Sequence, residues 1–292
     1  MLIASALCRF LALSCSVFLF GASAMLALSG SRGLSLAMEA ALRRSLRAAA
    51  VVGALAVLCL LPLQAVSIAE DWRAAADLDM LATVAFQTRY GQAWCLRLLA
   101  ILLFLAVILR ANPGRNRLRA LVAGAALLPL GLSGHAAMEE GWTGCAHAAN
   151  DMLHSLAAGF WLGSLPVFLL LLRQWREPAH RPDALRALMR FSNAGHVAVV
   201  VLLITGVVNA ALILRTASPD PASGYQQALA AKALLALAMV ALAVVNRYRW
   251  VPRLRAEPEI ALRHIRRNTI AELWAGAAVL LLVGLLGLLP PQ

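Results

Sequence analysis

The chain has 292 residues, 62% of them hydrophobic and 14% charged, with a mean hydropathy of +0.77. Ordinary soluble domains are roughly 45–50% apolar and about 25% charged, so a single soluble core is excluded. The net charge of +12 would suit a nucleic-acid partner, but all but one of the 26 basic residues are arginines, and they sit in alternate connections between apolar runs. No nucleic acid is needed to explain them.

A bilayer core about 30 Å thick takes about 20 mostly apolar residues per helix. Hydropathy predicts eight such spans, near 4–28, 47–69, 93–110, 118–134, 152–172, 191–214, 227–245 and 270–289. The expected fold is all-α: one polytopic transmembrane bundle occupying residues 1–292, with no ~10-residue alternating segments of the kind that build an outer-membrane barrel. Arg32, Arg43, Arg44 and Arg47 follow the first span, Arg110, Arg115, Arg117 and Arg119 the third, and Arg173 to Arg190 the fifth. A further set from Arg247 to Arg267 follows the seventh. Short cytoplasmic loops retain Lys and Arg, which places these connections in the cytoplasm and both termini in the periplasm. Phe10 to Gly21 followed by Ala22-Ser23-Ala24 also has the form of a secretory leader. Cleavage there would put every Arg-rich loop on the wrong face, so the first span is read as retained. The five cysteines form no CxxC pair; Cys15 and Cys59 fall within spans, while Cys8, Cys95 and Cys145 lie toward the outer face.

Ionisable groups inside a membrane are costly and mark sites or pathways by default. The richest run is GHAAMEEGWTGCAHAANDMLH around the fourth connection, with His135, Met138, Glu139, Glu140, Cys145, His147, Asp151, Met152 and His154. With the fifth helix starting near Ala146, His147, Asp151 and His154 share one face at its outer end, and His135 ends the preceding span at the same depth. Imidazole combined with thioether or thiolate suits soft and borderline metals, and copper fits the mixture best. Asp151 would be a ligand or would orient an imidazole through its second N–H. The plainer reading makes Asn150 or Asp151 a helix cap. A second polar group lies toward the cytoplasm: Ser192, Asn193 and His196, then Asn246 and Arg247, then Glu272. Thr205 and Asn209 lie between the two groups, while Arg97 and Lys232 occupy the outer leaflet, where both can extend outward to water.

GHAAM, DMLHSLAAGFWLGSLPVF, RFSNAGHVAVVVLLITGVVNA, a Lys-bearing span ending in NRY, and a Glu in the last helix before LLPP occur in that order. The set resembles the CopD copper-resistance family of bacterial inner-membrane proteins over about residues 130–290, with YGQAWCLRLL similar to the family's third span and residues 1–129 otherwise alike only in hydropathy. The resemblance implies copper handling across the cytoplasmic membrane, with a separate periplasmic copper-binding partner of the CopC type. By position it carries over to His135, Asp151, His154, Trp161, Ser192, Lys232, Asn246 and Glu272, with His135 and His154 as ligands. Met138, Cys145, His147 and Met152 enter on local chemistry alone. The resulting expectation is a transporter rather than an enzyme, since no GxxxxGK[ST] phosphate loop is present. It takes copper from the periplasm and passes it inward toward His196 and Glu272. The alternatives are a haem b protein using two of His135, His154 and His196, and a copper sensor or scaffold without transport.

Overall fold

A computed structural model describes residues 1–110, 114–132, 141–177, 180–216, 220, 223–254 and 256–288, with side chains of the seventh helix described through 212. The described residues are helical throughout, without strands, and seven of the helices are long and apolar enough to cross a membrane. In chain order they are α1 (Leu2–Leu28), α2 (Arg32–Ala69), the short α3 (Leu78–Gln87), α4 (Arg89–Leu109), α5 (Asn116–Ala125), α6 (Gly141–Gln174), α7 (Arg181–Thr216), α8 (Gly224–Val245) and α9 (Pro258–Leu286). The fourth expected span is not one helix. It is the ten-residue α5 followed by a 3₁₀ segment, Leu128–Leu132, in which Pro129 cannot donate a backbone hydrogen bond.

Helix ends follow local chemistry. Asp77 caps α3 by accepting from the N–H groups of Asp79 and Met80, Thr88 caps α4 by accepting from Gly91 N–H, and Pro258 opens α9. Four helices begin well before the apolar runs that announce them: α2 at Arg32, α6 at Gly141, α7 at Arg181 and α9 at Pro258. The 38 residues of α2 extend about 57 Å, far beyond a hydrocarbon core of about 30 Å, so its arginine-bearing first turns stand clear of the bilayer.

Helix α1 is the central element, packing against α2, α5, α6 and α9. Its approach to α6 is a backbone contact. A β-carbon at Gly163 would lie 1.9 Å from the Val17 carbonyl oxygen, and one at Gly21 would lie 2.4 Å from the carbonyl carbon of Gly163. Only glycine permits that distance, which is how helices associate where lipid removes the hydrophobic drive between them. Around the crossing, Leu19, Met25, Phe104, Trp161 and Leu171 form part of one continuous buried cluster. Outward, Val197, Val200, Ile204 and Val207 make an exposed stripe along α7, and Leu234 and Leu237 face out on α8; these surfaces meet lipid.

At the arginine-rich end, α2 and α5 are joined by a buried ion pair. Arg119 Nη1 lies 2.5 Å from Glu39 Oε1, Gly114 N–H donates to Glu39 Oε2 at 3.0 Å, and Asn116 links Arg119 to Ser35. Elsewhere Arg190 donates to Leu28 O, and Arg9 donates to Gly287 O at 2.8 Å.

Replacing Gly163 with Ala is expected to lower stability by about 1–3 kcal/mol or more through overpacking. Gly33→Ala, whose β-carbon meets nothing within 4 Å, should change little. Thermal unfolding of both variants in detergent checks the contrast; equal melting would remove the close crossing as a stabilising contact.

Candidate functional site

Two polar stations occur along α7, one around Ser192 and His196 and the other around Thr205 and Asn209. The outer one is built between α6 and α7. Asn150 donates through Nδ2 to Thr205 O at 3.0 Å and to Asn209 Oδ1 at 2.5 Å, and Asn209 Nδ2 donates in turn to Asp151 Oδ1 at 2.5 Å. Asn150 is in the third turn of α6, so it is an interhelical bridge and not a cap. His147 Nε2 stands 4.0 Å from Asp151 Oδ2, one turn away.

The His154 ring lies against Gly206, where a β-carbon would stand 3.4 Å from Cε1, and its Nδ1 is 2.9 Å from Thr205 Oγ1. The single Thr205 hydroxyl hydrogen is directed to Val201 O at 2.7 Å, so Thr205 Oγ1 accepts and His154 Nδ1 donates. This arrangement favours the tautomer with the proton on Nδ1 and the lone pair on Nε2. Lys232 of α8 is within electrostatic reach of both His154 and Asp151, and Tyr225 of Asp151. Lys232 is thus close enough to the outer station for its charge to act there.

Other expected members separate. Met152 packs against Gly131 of the 3₁₀ segment, where its Cγ would lie 2.9 Å from a β-carbon at that glycine. It is two residues from His154, about 200° around the helix, and so points away from the imidazole. Cys145 is exposed with a free thiol. His135, Met138 and Glu139 lie outside the described residues. Among the described residues, no three His, Cys, Asp or Glu side chains come together to hold a metal. Sequence reasoning missed Asn150 and Tyr225 as members of the outer station, and gave Thr205 no role; the i, i+4 pair Thr205 and Asn209 was the available signal.

The inner station is a cavity of about 290 Å³ between α6, α7, α9 and the end of α8, with Ser192, His196, Asn246 and Glu272 all in its lining. The expected inner group is thus brought to one place. A π-helical turn, Asn246–Trp250, continues α8 and carries Asn246 against α9. Asn246 Nδ2 donates to Glu272 Oε1 at 3.2 Å, and Asn268 Nδ2 donates to Asn246 Oδ1 at 2.8 Å. His196 Nδ1 donates to Ser192 O at 2.6 Å, leaving Nε2 to accept from the Tyr248 hydroxyl at 3.4 Å. Arg247 donates to Asn193 Oδ1. His196 and the Thr205 partner of His154 are nine residues apart on α7, about 13 Å along its axis, so His154 and His196 do not make an axial haem pair.

The fold and its two stations define a polytopic helical membrane protein with a polar network around Asn150, Asp151, His154 and Asn209 at one station and a buried carboxyl, Glu272, at the other. Residues 1–145 match the family described as "Copper resistance protein D-like, N-terminal domain", and residues 185–286 match "Copper resistance protein D". The chain is 37% identical to "Inner membrane protein YebZ" of Escherichia coli, over 70% of each chain. It is 34% identical to "Copper resistance protein D" of Pseudomonas syringae, over 86% of this chain and 84% of the relative. A third match, "Copper transport protein CutJ" of Bacillus subtilis, is 30% identical over 70% of this chain and 39% of that longer protein. The chain belongs to the copper resistance protein D family, a family concerned with copper at a membrane. No solved structure matches it.

Thr205→Val keeps the shape but removes the oxygen that holds His154. Imidazole ¹⁵N resonances in the wild type are expected to report a proton on Nδ1 and none on Nε2. In the variant they should move toward mixed tautomers, and an unchanged spectrum would break the assignment.

Proposed function

We propose that this protein takes copper from the periplasmic face of the inner membrane and conveys it inward through the helix bundle. The observation that carries the reading is the His154 imidazole, held through Nδ1 by Thr205 one helical turn from Asp151, at the end of the bundle opposite the arginines. A neutral imidazole suits a copper ion, and a neighbouring carboxylate offsets the charge that arrives. His135 and Met138 are proposed to complete the ligand set. The inner cavity with His196 and Glu272 is the proposed point of departure.

The periplasmic assignment of the outer station is supported by chain geometry. Contact of Arg9 with Gly287 brings the start of α1 and the end of α9 to one face. Helix α5 starts beside Ser35 and Glu39 at the arginine-rich end, and its 3₁₀ continuation packs at Gly131 against Ala148 and Met152 of α6, near the opposite end. Asn116 to Leu132 extends about 25 Å and is read as the eighth crossing. Both chain ends then lie on the face opposite the arginines, which the positive-inside rule makes periplasmic. The names of the relatives from Escherichia coli and Bacillus subtilis, an inner membrane protein and a copper transport protein, agree with this placement and cargo. The chain acts as a carrier and not as an enzyme, and a CopC-type periplasmic protein, supplied as a separate chain, is the proposed donor.

Copper uptake by cells or proteoliposomes tests the reading. His154→Ala is expected to lower uptake at least about tenfold, as loss of a metal ligand or of its supporting partner does. Uptake equal to that of the wild type would remove the role assigned to His154.

A further inference from the structure

Glu272 is only 2% exposed, and the hydrogen bond it accepts from Asn246 is uncharged. None of the ion pairs among the described residues includes it. The groups around it are accounted for element by element. From α7 come Ser192 and His196, whose ring nitrogens are engaged by Ser192 O and the Tyr248 hydroxyl. From the π turn come Asn246, Tyr248 and Arg247, and Arg247 is directed at Asn193. Helix α6 supplies apolar wall, including Trp161 and Phe168, and α1 meets α9 at its far end, where Arg9 binds Gly287. On α9 itself, Thr269 donates to Ile265 O, and Asn268 serves Asn246.

An ionised carboxylate in such a place has lost its water and gained no cation, a cost of several kcal/mol that neutralisation avoids. Apart from Glu272, the lining likewise offers an incoming cation no anionic partner. Each charge is admissible only with the other present, so proton and cation compete for one carboxyl.

We propose that Glu272 is the proton-exchanging group of the inner cavity: it holds a proton while the cavity contains no cation and releases it when a monovalent soft cation enters. The step balances as Glu272–COOH plus M⁺ giving Glu272–COO⁻·M⁺ plus H⁺, with no change of oxidation state. The proton leaves to water at the cavity mouth beside His196 and Tyr248. This inference rests on the reading that copper passes through the bundle, and it adds that the inner station is gated by protonation.

The test uses the full chain in lipid nanodiscs and Ag(I), a redox-silent stand-in for Cu(I). Infrared difference spectra should show the carbonyl stretch of a neutral carboxyl disappearing on Ag(I) addition, together with release of about one proton to a pH-indicator dye. Glu272→Gln should lose both signals while melting like the wild type, and Glu272→Asp should restore proton release. Ag(I) binding with identical proton release in wild type and Glu272→Gln, or a resting spectrum without a neutral carboxyl that this substitution removes, would overturn the inference and leave the copper reading standing. Failure of Ag(I) to bind at all would overturn both.

Discussion

The contact on which the rest depends is the meeting of α1 and α6 backbones at Gly21 and Gly163. It fixes more than a distance. His154 is nine residues before Gly163, which at about 100° per residue puts it on the opposite face of α6. The face that must be bare to reach α1 therefore directs the imidazole toward α7, where it lies against Gly206 and Thr205. Met152 falls about 20° from Gly163 by the same arithmetic, on the face that packs inward against the 3₁₀ segment. One crossing thus decides which of two potential ligands, two residues apart, stands at the outer station.

Helix α7 then connects two stations that do not run into each other. Between His196 and Thr205 its residues are Val-Ala-Val-Val-Val-Leu-Leu-Ile, without a polar atom on any side chain. The gap is about 13 Å of apolar helix. No fixed ladder of ligands bridges it on α7, so the inward conveyance proposed above would call on other helices or on a change in their relative positions. The places where the backbone already departs from regular α-helix are suited to that: Pro166 in α6, and the π turn that follows α8.

Hydropathy made the membrane class and most of the helices legible, because a span must be apolar for its full depth. It misplaced their starts, because Arg32, Arg181 and Pro258 begin helices that project beyond lipid, where helix formation continues without hydrophobicity. It made the fourth span look uniform, because apolar character does not reveal where Pro129 ends regular helix. At the outer station, the spacing of Asp151 and His154 was readable, as was the i, i+4 pair on α7. The docking of Asn150 onto that pair was not, since residues 55 to 59 positions apart in the chain meet only through the packing of α6 on α7. Met152 was attractive for its thioether, and its angle around the helix decided against it. The Glu39–Arg119 pair was hidden for a similar reason: Arg119 read as an ordinary cytoplasmic loop charge, Glu39 drew no reading, and only the approach of α5 to α2 buries them together.

The hydrogen bonds of the outer station have a direction that matters for how occupancy is felt. Asn209 can present its oxygen to Asn150 only while its nitrogen faces Asp151, so one amide orientation satisfies both α6 residues. A cation drawing the Asp151 carboxylate toward itself would withdraw the acceptor from Asn209 Nδ2, and a half-buried amide donor that loses its partner carries a cost. Asn209 then either follows Asp151, dragging α7 along α6, or turns and gives up Asn150. In both cases charge arriving at the outer end acts on the α6–α7 contact, and those two helices also wall the inner cavity. On the proposed copper reading, the polar chain that joins α6 to α7 at the outer station would be the link through which a bound ion alters the packing beside Glu272.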